Sequence, residues 1–137
     1  MISESNFNEL AKQGYNRIPL MCEILADLDT PLSTYTKICN LKYSYLFESV
    51  EGGDKWGRYS IIGLPAKKII SVSGKKITIK ENNKCIDEYN TNDPLAEIEK
   101  IQQSYKVPQI EKMPRFNGGL VGYFGYETIK YIEPKLN

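Results

Sequence analysis

Apolar residues recur along the chain at spacings that predict both helices and strands. Three segments predict helices, by apolar residues three or four apart or by a capping residue before a proline: residues 3–13, Thr30-Pro31 to about Asn40, and Asp93-Pro94 to about Tyr105. Residues 126–132 are expected to be helical as well. The helices are therefore expected to bury one apolar stripe each.

The predicted strands carry alternating or β-branched apolar residues, at 43–49, 58–64, 68–73, 76–80 and 85–89. Ser73-Gly74 and Asn82-Asn83 predict tight turns, since glycine and asparagine tolerate a positive φ. Residues 17–25 are a candidate edge strand, and residues 118–124 a candidate glycine-rich strand. Together the elements predict an α+β fold, with an antiparallel sheet of about five or six strands and three or four helices packed on it.

Composition narrows the class of protein. The chain has 137 residues, of which 41% are hydrophobic and 26% charged, typical of one globular domain. A net charge of +1 favours neither nucleic acid nor an anionic membrane as partner. No apolar run approaches the roughly 20 residues of a membrane span, and the first residues lack the features of a secretory signal. We expect a cytoplasmic protein.

Residue types that are scarce or missing exclude several chemistries. Histidine is absent and the chain has three cysteines, so Ser-His-Asp catalysis, Cys-His catalysis and the common zinc sites are excluded. An odd number of widely spaced cysteines is typical of reduced thiols. We expect no catalytic or metal-binding residue within the chain.

The most distinctive stretch lies between two of the predicted strands. Glu48 and Ser49 close the first strand, and Arg58 opens the second, with Gly52-Gly53 and the single tryptophan, Trp56, between them. Polar residues often end strands, so a structural interpretation of Glu48 and Ser49 remains open. The alternative is a small-molecule site, because carboxylate, hydroxyl and guanidinium groups meet there beside aromatic side chains.

These residues also carry a family resemblance. The chain resembles the N-terminal region of the large (component I) subunit of anthranilate synthase, which belongs to the chorismate-utilising enzymes. Four motifs carry the resemblance: Leu46-Phe47-Glu48-Ser49-Val50-Glu51-Gly52-Gly53, Lys55-Trp56-Gly57-Arg58-Tyr59-Ser60, Asp29-Thr30-Pro31-Leu32-Ser33 and Gly118-Gly119-Leu120-Val121-Gly122-Tyr123. The resemblance covers nearly the whole chain. It implies that residues 1–137 are an N-terminal regulatory and structural domain, part of a larger α/β sandwich.

The resemblance also implies what the complete enzyme does. That enzyme converts chorismate and ammonia to anthranilate and pyruvate in tryptophan biosynthesis, and a glutamine amidotransferase subunit (component II) supplies the ammonia. Its catalytic residues and its Mg²⁺ site lie in a C-terminal chorismate-binding domain that these 137 residues do not include. The chain by itself is expected to be inactive and to hold no cofactor.

In this family the serine of a Leu-Leu-Glu-Ser motif lines the feedback site for L-tryptophan. That serine matches Ser49, which places Glu48 and Phe47 beside the site, and Arg58 is a further candidate. Phe47 departs from the leucine that is commoner in the motif. Trp56 is either a wall of this pocket or a structural plug over the turn.

Two alternative functions remain open on the sequence. The first is the same domain in component I of aminodeoxychorismate synthase, in folate biosynthesis. The second is a stand-alone amino-acid-binding module. Because the glycine-rich candidate strand at 118–124 lies close to Asn137, we expect its neighbours to lie in further residues of a longer protein.

Overall fold

A computed structural model describes residues 2–39, 41–48, 59–114, 116–133 and 135. The α-helices are α1 (Glu4–Lys12), α2 (Pro31–Ile38) and α3 (Pro94–Gln103), and a 3-10 helix spans Tyr126–Tyr131. The strands are β1 (Tyr45–Glu48), β2 (Ser60–Gly63), β3 (Lys68–Ser73), β4 (Lys76–Glu81) and β5 (Lys84–Asn90). The α+β class with antiparallel strands is confirmed.

The strands form two sheets, where the sequence predicts one. β1 pairs with β2 in a two-stranded sheet, and β4 lies between β3 and β5 in a three-stranded sheet. Two-residue turns connect the three strands; Asn82 and Asn83 have φ angles of 48° and 65°, as the turn chemistry predicts. Ile77 and Ile79 on β4 are buried two residues apart, in keeping with the alternation of a strand.

The chain divides into two compact units. The first, which we call the α1–α3 unit, comprises residues 1–23, 72–77 and 89–137. In it the side chain of Asn16 joins segments distant in sequence, donating to the Ser104 carbonyl at 2.7 Å and accepting from the Lys106 amide at 2.8 Å. The Tyr131 hydroxyl donates to the Gly74 carbonyl at 2.8 Å. Side-chain hydrogen bonds therefore join segments of this unit that are distant in sequence.

The second, which we call the β1–β2 unit, comprises residues 24–71 and 78–88. Its helix α2 contacts both β1 and β2. Cys39, directly after the helix, is fully buried, and the hydroxyls of Tyr35 and Ser44 lie 3.1 Å apart. Helix α2 therefore packs against both strands of the β1–β2 pair.

Some predicted elements are not present. The segments 17–25 and 118–124 are not strands; Leu25, Leu28 and Tyr123 within or beside them are more than nine-tenths exposed. The last helical segment is a 3-10 helix. The sequence predicts a buried apolar stripe on α2, but the apolar residues Leu32 and Ile38 of this helix are exposed, so the stripe is only partly buried. None of the helices in the described ranges has the length and apolar character that a bilayer crossing requires.

Candidate functional site

Two of the four candidate site residues, Phe47 and Glu48, lie at the end of β1. The antiparallel register pairs Phe47 with Ile61 and Glu48 with Ser60. The second of these pairs lies at the end of the ladder, because β1 ends at Glu48 and β2 begins at Ser60. Ser49 and Arg58 lie outside the described residues, as does Trp56. The described part of the candidate site is therefore the end of the β1–β2 ladder.

Phe47 and Glu48 belong to opposite faces of the pair. Successive side chains of a strand point to opposite sides, and directly paired residues share a side. Phe47 therefore shares a face with Tyr45 and Ile61, whereas Glu48 shares the other face with Ser60. A ligand that contacts both residues must lie across the end of β1.

The face that carries Phe47 is aromatic. The ring centroids of Tyr45 and Phe47 are 4.8 Å apart, with the planes inclined at 35°, a separation at which aromatic rings attract each other. Tyr45 lies over Gly63: a Cβ built on Gly63 would be 2.0 Å from Tyr45 Cε1. Phe47 keeps 51% of its surface exposed. The two rings thus form a partly exposed aromatic surface, and the absence of a side chain at Gly63 leaves the space that the Tyr45 ring occupies.

On the face that carries Glu48, the residues at the end of the ladder, Glu48 and Ser60, are polar. The Ser60 hydroxyl donates to Glu48 Oε1 at 3.3 Å across the strand pair, and both residues are exposed. A carboxylate that accepts one hydrogen bond on one oxygen retains acceptor capacity on the other. An ammonium group is a chemically suitable donor for it.

Ser60 and Tyr45 also lie at the candidate site, beside Glu48 and Phe47, although the sequence motifs did not indicate them. Ser60 is the residue that the register places opposite Glu48, and Tyr45 is the one it places opposite Gly63. An aromatic residue paired with a glycine across two adjacent strands is the signal that identifies Tyr45. Ser60 is identified by the register, which pairs it with Glu48. The lengths of the two strands in the sequence do not determine that register.

The motif Asp29 to Ser33 has a structural role at the start of α2. Thr30 and Ser33 form a capping box, in which the Ser33 amide donates to Thr30 Oγ1 at 3.1 Å and the Thr30 amide donates to Ser33 Oγ at 2.9 Å. Asp29 accepts from Ser33 Oγ at 2.9 Å and forms an ion pair with Lys37. The hydrogen bond from Lys37, followed by that from Ser33, lowers the pKa of Asp29 below its ordinary 3.8. These contacts stabilise the helix that supports the candidate site.

Comparison with known proteins identifies close relatives. The chain is 50% identical to anthranilate synthase component 1 of Pseudomonas putida over 98% of its own length and 27% of the relative's. It is 52% identical to the Neisseria meningitidis protein of that name over 97% of the chain and 27% of the relative. The Acinetobacter calcoaceticus protein of that name is 45% identical over 100% of the chain and 28% of the relative.

No protein-family model and no solved structure matches the chain. The chain spans about a quarter of the length of the curated relatives that it matches. The alignments with those relatives nevertheless cover 97–100% of the chain. The resemblance seen in the sequence motifs is thus confirmed, and over its own length the chain is related to anthranilate synthase component 1.

Proposed function

We propose that the chain is the N-terminal regulatory and structural domain of an anthranilate synthase component 1. The observation that carries this proposal is identity of 45–52% to proteins of that name along nearly the whole chain. The complete subunit forms anthranilate and pyruvate from chorismate and ammonia in the cytoplasm. The 137 residues contribute no catalytic residue and are inactive alone.

The other parts of the enzyme supply the chemistry. A C-terminal domain in cis binds chorismate and Mg²⁺, and a glutamine amidotransferase subunit delivers ammonia. Exposed large apolar side chains of the α1–α3 unit support the proposal that this unit contacts further protein, because such side chains are often buried at interaction sites. Tyr123 and Tyr126 are 93% and 92% exposed, and Phe124 between them is 68% exposed.

The regulatory function lies at the end of the β1–β2 ladder, where L-tryptophan binds as feedback inhibitor. Glu48 accepts hydrogen bonds from the ammonium group, Ser49 and Arg58 bind the carboxylate, and Phe47 contacts the edge of the indole. The exposed carboxylate of Glu48 and the half-exposed ring of Phe47, adjacent at the end of β1, support this assignment. A zwitterion with an aromatic side chain needs groups of these kinds.

Inhibition follows if the tryptophan-bound subunit favours an arrangement with a poorly formed chorismate site. A ligand shifts such an equilibrium only through different affinities for the two states. Reciprocity then requires that chorismate weaken tryptophan binding by the factor by which tryptophan weakens chorismate binding. Mutual weakening of tryptophan and chorismate binding therefore distinguishes a regulatory tryptophan from one that only stabilises the fold.

The test measures anthranilate and pyruvate formed from chorismate and added ammonia by the full-length subunit, with and without L-tryptophan. Ser49→Phe fills the amino-acid pocket, so we expect anthranilate formation to persist and tryptophan inhibition to be relieved. Ser71→Phe, at an exposed position of β3 in the same unit, is the matched control; it should remain inhibited. Unchanged inhibition in Ser49→Phe, or aminodeoxychorismate as the product, would overturn the proposal.

A further inference from the structure

A side-chain hydrogen bond joins Ser60 and Glu48 at the end of the β1–β2 pair. The two residues are directly opposite in the register, and the Ser60 hydroxyl donates to Glu48 Oε1 at 3.3 Å. β1 ends at Glu48 and β2 begins at Ser60. The link therefore lies where a ligand would approach the end of the ladder.

We propose that Ser60 is a positioning residue, which orients the carboxylate of Glu48 toward the ammonium group of a bound α-amino acid. The inference rests on the proposed function and adds a residue that the motif around Glu48 does not contain. Ser60 holds Oε1, and Oε2 is left to accept from the ammonium group. Ser60 makes no contact with the ligand.

The physical basis is pre-organisation. An exposed glutamate has many rotamers, and fixing them on binding costs free energy. A hydroxyl that already holds one carboxylate oxygen lowers that cost before the ligand arrives. A net contribution typical of one hydrogen bond corresponds to about a three- to tenfold change in affinity. Removal of the hydroxyl should therefore weaken tryptophan binding by about that factor.

The chain offers a matched control for a purely structural role. On the β4–β5 pair, Thr78 Oγ1 donates to Glu88 Oε2 at 3.3 Å, the same distance and the same combination of hydroxyl and carboxylate. This second pair belongs to the same unit but to another sheet. Loss of a cross-strand hydrogen bond can thus be compared at two places, of which one is in the proposed site.

The experiment measures the inhibition constant of L-tryptophan on the full-length subunit for Ser60→Ala, Ser60→Thr and Thr78→Ala. Ser60→Ala should raise the constant about three- to tenfold. Ser60→Thr, which keeps the hydroxyl, should restore inhibition to near the original level, and Thr78→Ala should leave it unchanged. The double variant Glu48→Ala/Ser60→Ala should be no worse than Glu48→Ala, since Ser60 acts through Glu48.

Different failures have different meanings. If Ser60→Ala is inhibited normally while Glu48→Ala has lost inhibition, Ser60 has no positioning role and the proposed function stands. An equal effect of Ser60→Ala and Thr78→Ala, or additive losses in the double variant, would also refute the positioning role. If neither Glu48→Ala nor Ser49→Phe alters inhibition, the tryptophan site itself is wrongly assigned.

Discussion

The ring of Tyr45 lies against Gly63, its direct partner across the β1–β2 pair, at a distance that leaves no room for a side chain there. A Cβ on Gly63 would be 2.0 Å from Tyr45 Cε1 and 2.3 Å from Cζ. Because Tyr45 also contacts Phe47, the space over Gly63 determines where the aromatic surface of the candidate site lies.

Gly63→Ala should therefore destabilise the chain by roughly 1–3 kcal/mol, the usual cost of an extra methyl group in a packed position. Urea unfolding followed by circular dichroism measures the change. Gly122→Ala is the control, since among the described residues, apart from Gly122 and its two chain neighbours, no atom lies within 4 Å of a Cβ at this position. The free energy of unfolding of this variant should change by no more than about 1 kcal/mol. Equal effects of the two substitutions would show that Tyr45 does not occupy the space over Gly63.

The side chain of Asn16 makes two hydrogen bonds to residues that are distant in sequence. Its amide group pairs with the Ser104 carbonyl and the Lys106 amide, 88 and 90 residues away in sequence. Asn16→Ala should lower the free energy of unfolding by about 1–3 kcal/mol, which corresponds to two net hydrogen bonds.

A comparison with Asn117→Ala makes this test specific. The described bond of the Asn117 side chain is local, to the Pro114 carbonyl at 3.3 Å. We expect this variant to change the free energy of unfolding by less than about 0.5 kcal/mol. A loss in Asn16→Ala no larger than in Asn117→Ala, measured by urea unfolding, would contradict the role of Asn16 in joining distant segments.

The helix that supports the site should respond to acid through Asp29. Lys37 and then Ser33 lower the folded-state pKa of this carboxyl below 3.8. A folded-state pKa below the unfolded value contributes stability above the unfolded pKa, and that stability is lost as the pH falls through the folded pKa. Acidification below pH 3.8 should therefore weaken the start of α2.

A carboxyl-carbon NMR titration measures the pKa of Asp29 directly. Its midpoint should lie below 3.8 and should move up toward that value in Lys37→Gln. Lys75→Gln, which removes a lysine that is not among the causes of the shift, should leave the midpoint in place. An Asp29 midpoint at or above 3.8 in the unsubstituted chain would show that the ion pair and the Ser33 bond do not form in solution.

Local chemistry made the helices and turns predictable. The capping residues Thr30 and Asp93, each before a proline, start α2 and α3 where the sequence predicts. The paired asparagines at 82 and 83 adopt the positive φ expected of them. Each of these features depends on residues within one or two turns of chain, so no knowledge of distant partners is needed.

Features that depend on partners were less predictable. A strand needs a neighbour to satisfy its backbone groups, and the segments 17–25 and 118–124 have strand-like sequences but are not strands. Gly118 and Gly119 have φ angles of 138° and 139°, outside the range of strands. The site showed the same limit: the motif identifies Phe47 and Glu48, but only the register shows that Ile61 and Ser60 are their partners across the strand pair.

A titration of L-tryptophan into the 137-residue chain, followed by amide NMR, tests directly whether the end of the β1–β2 ladder binds the inhibitor. We expect saturable shifts of the amide signals at Phe47, Glu48 and Ser60, and none at the control pair Thr78 and Glu88. Indole-3-propionate, which lacks the ammonium group, should shift Phe47 more than Glu48. Unmoved amides at the end of the β1–β2 ladder with millimolar tryptophan would contradict the claim that this chain carries the regulatory site.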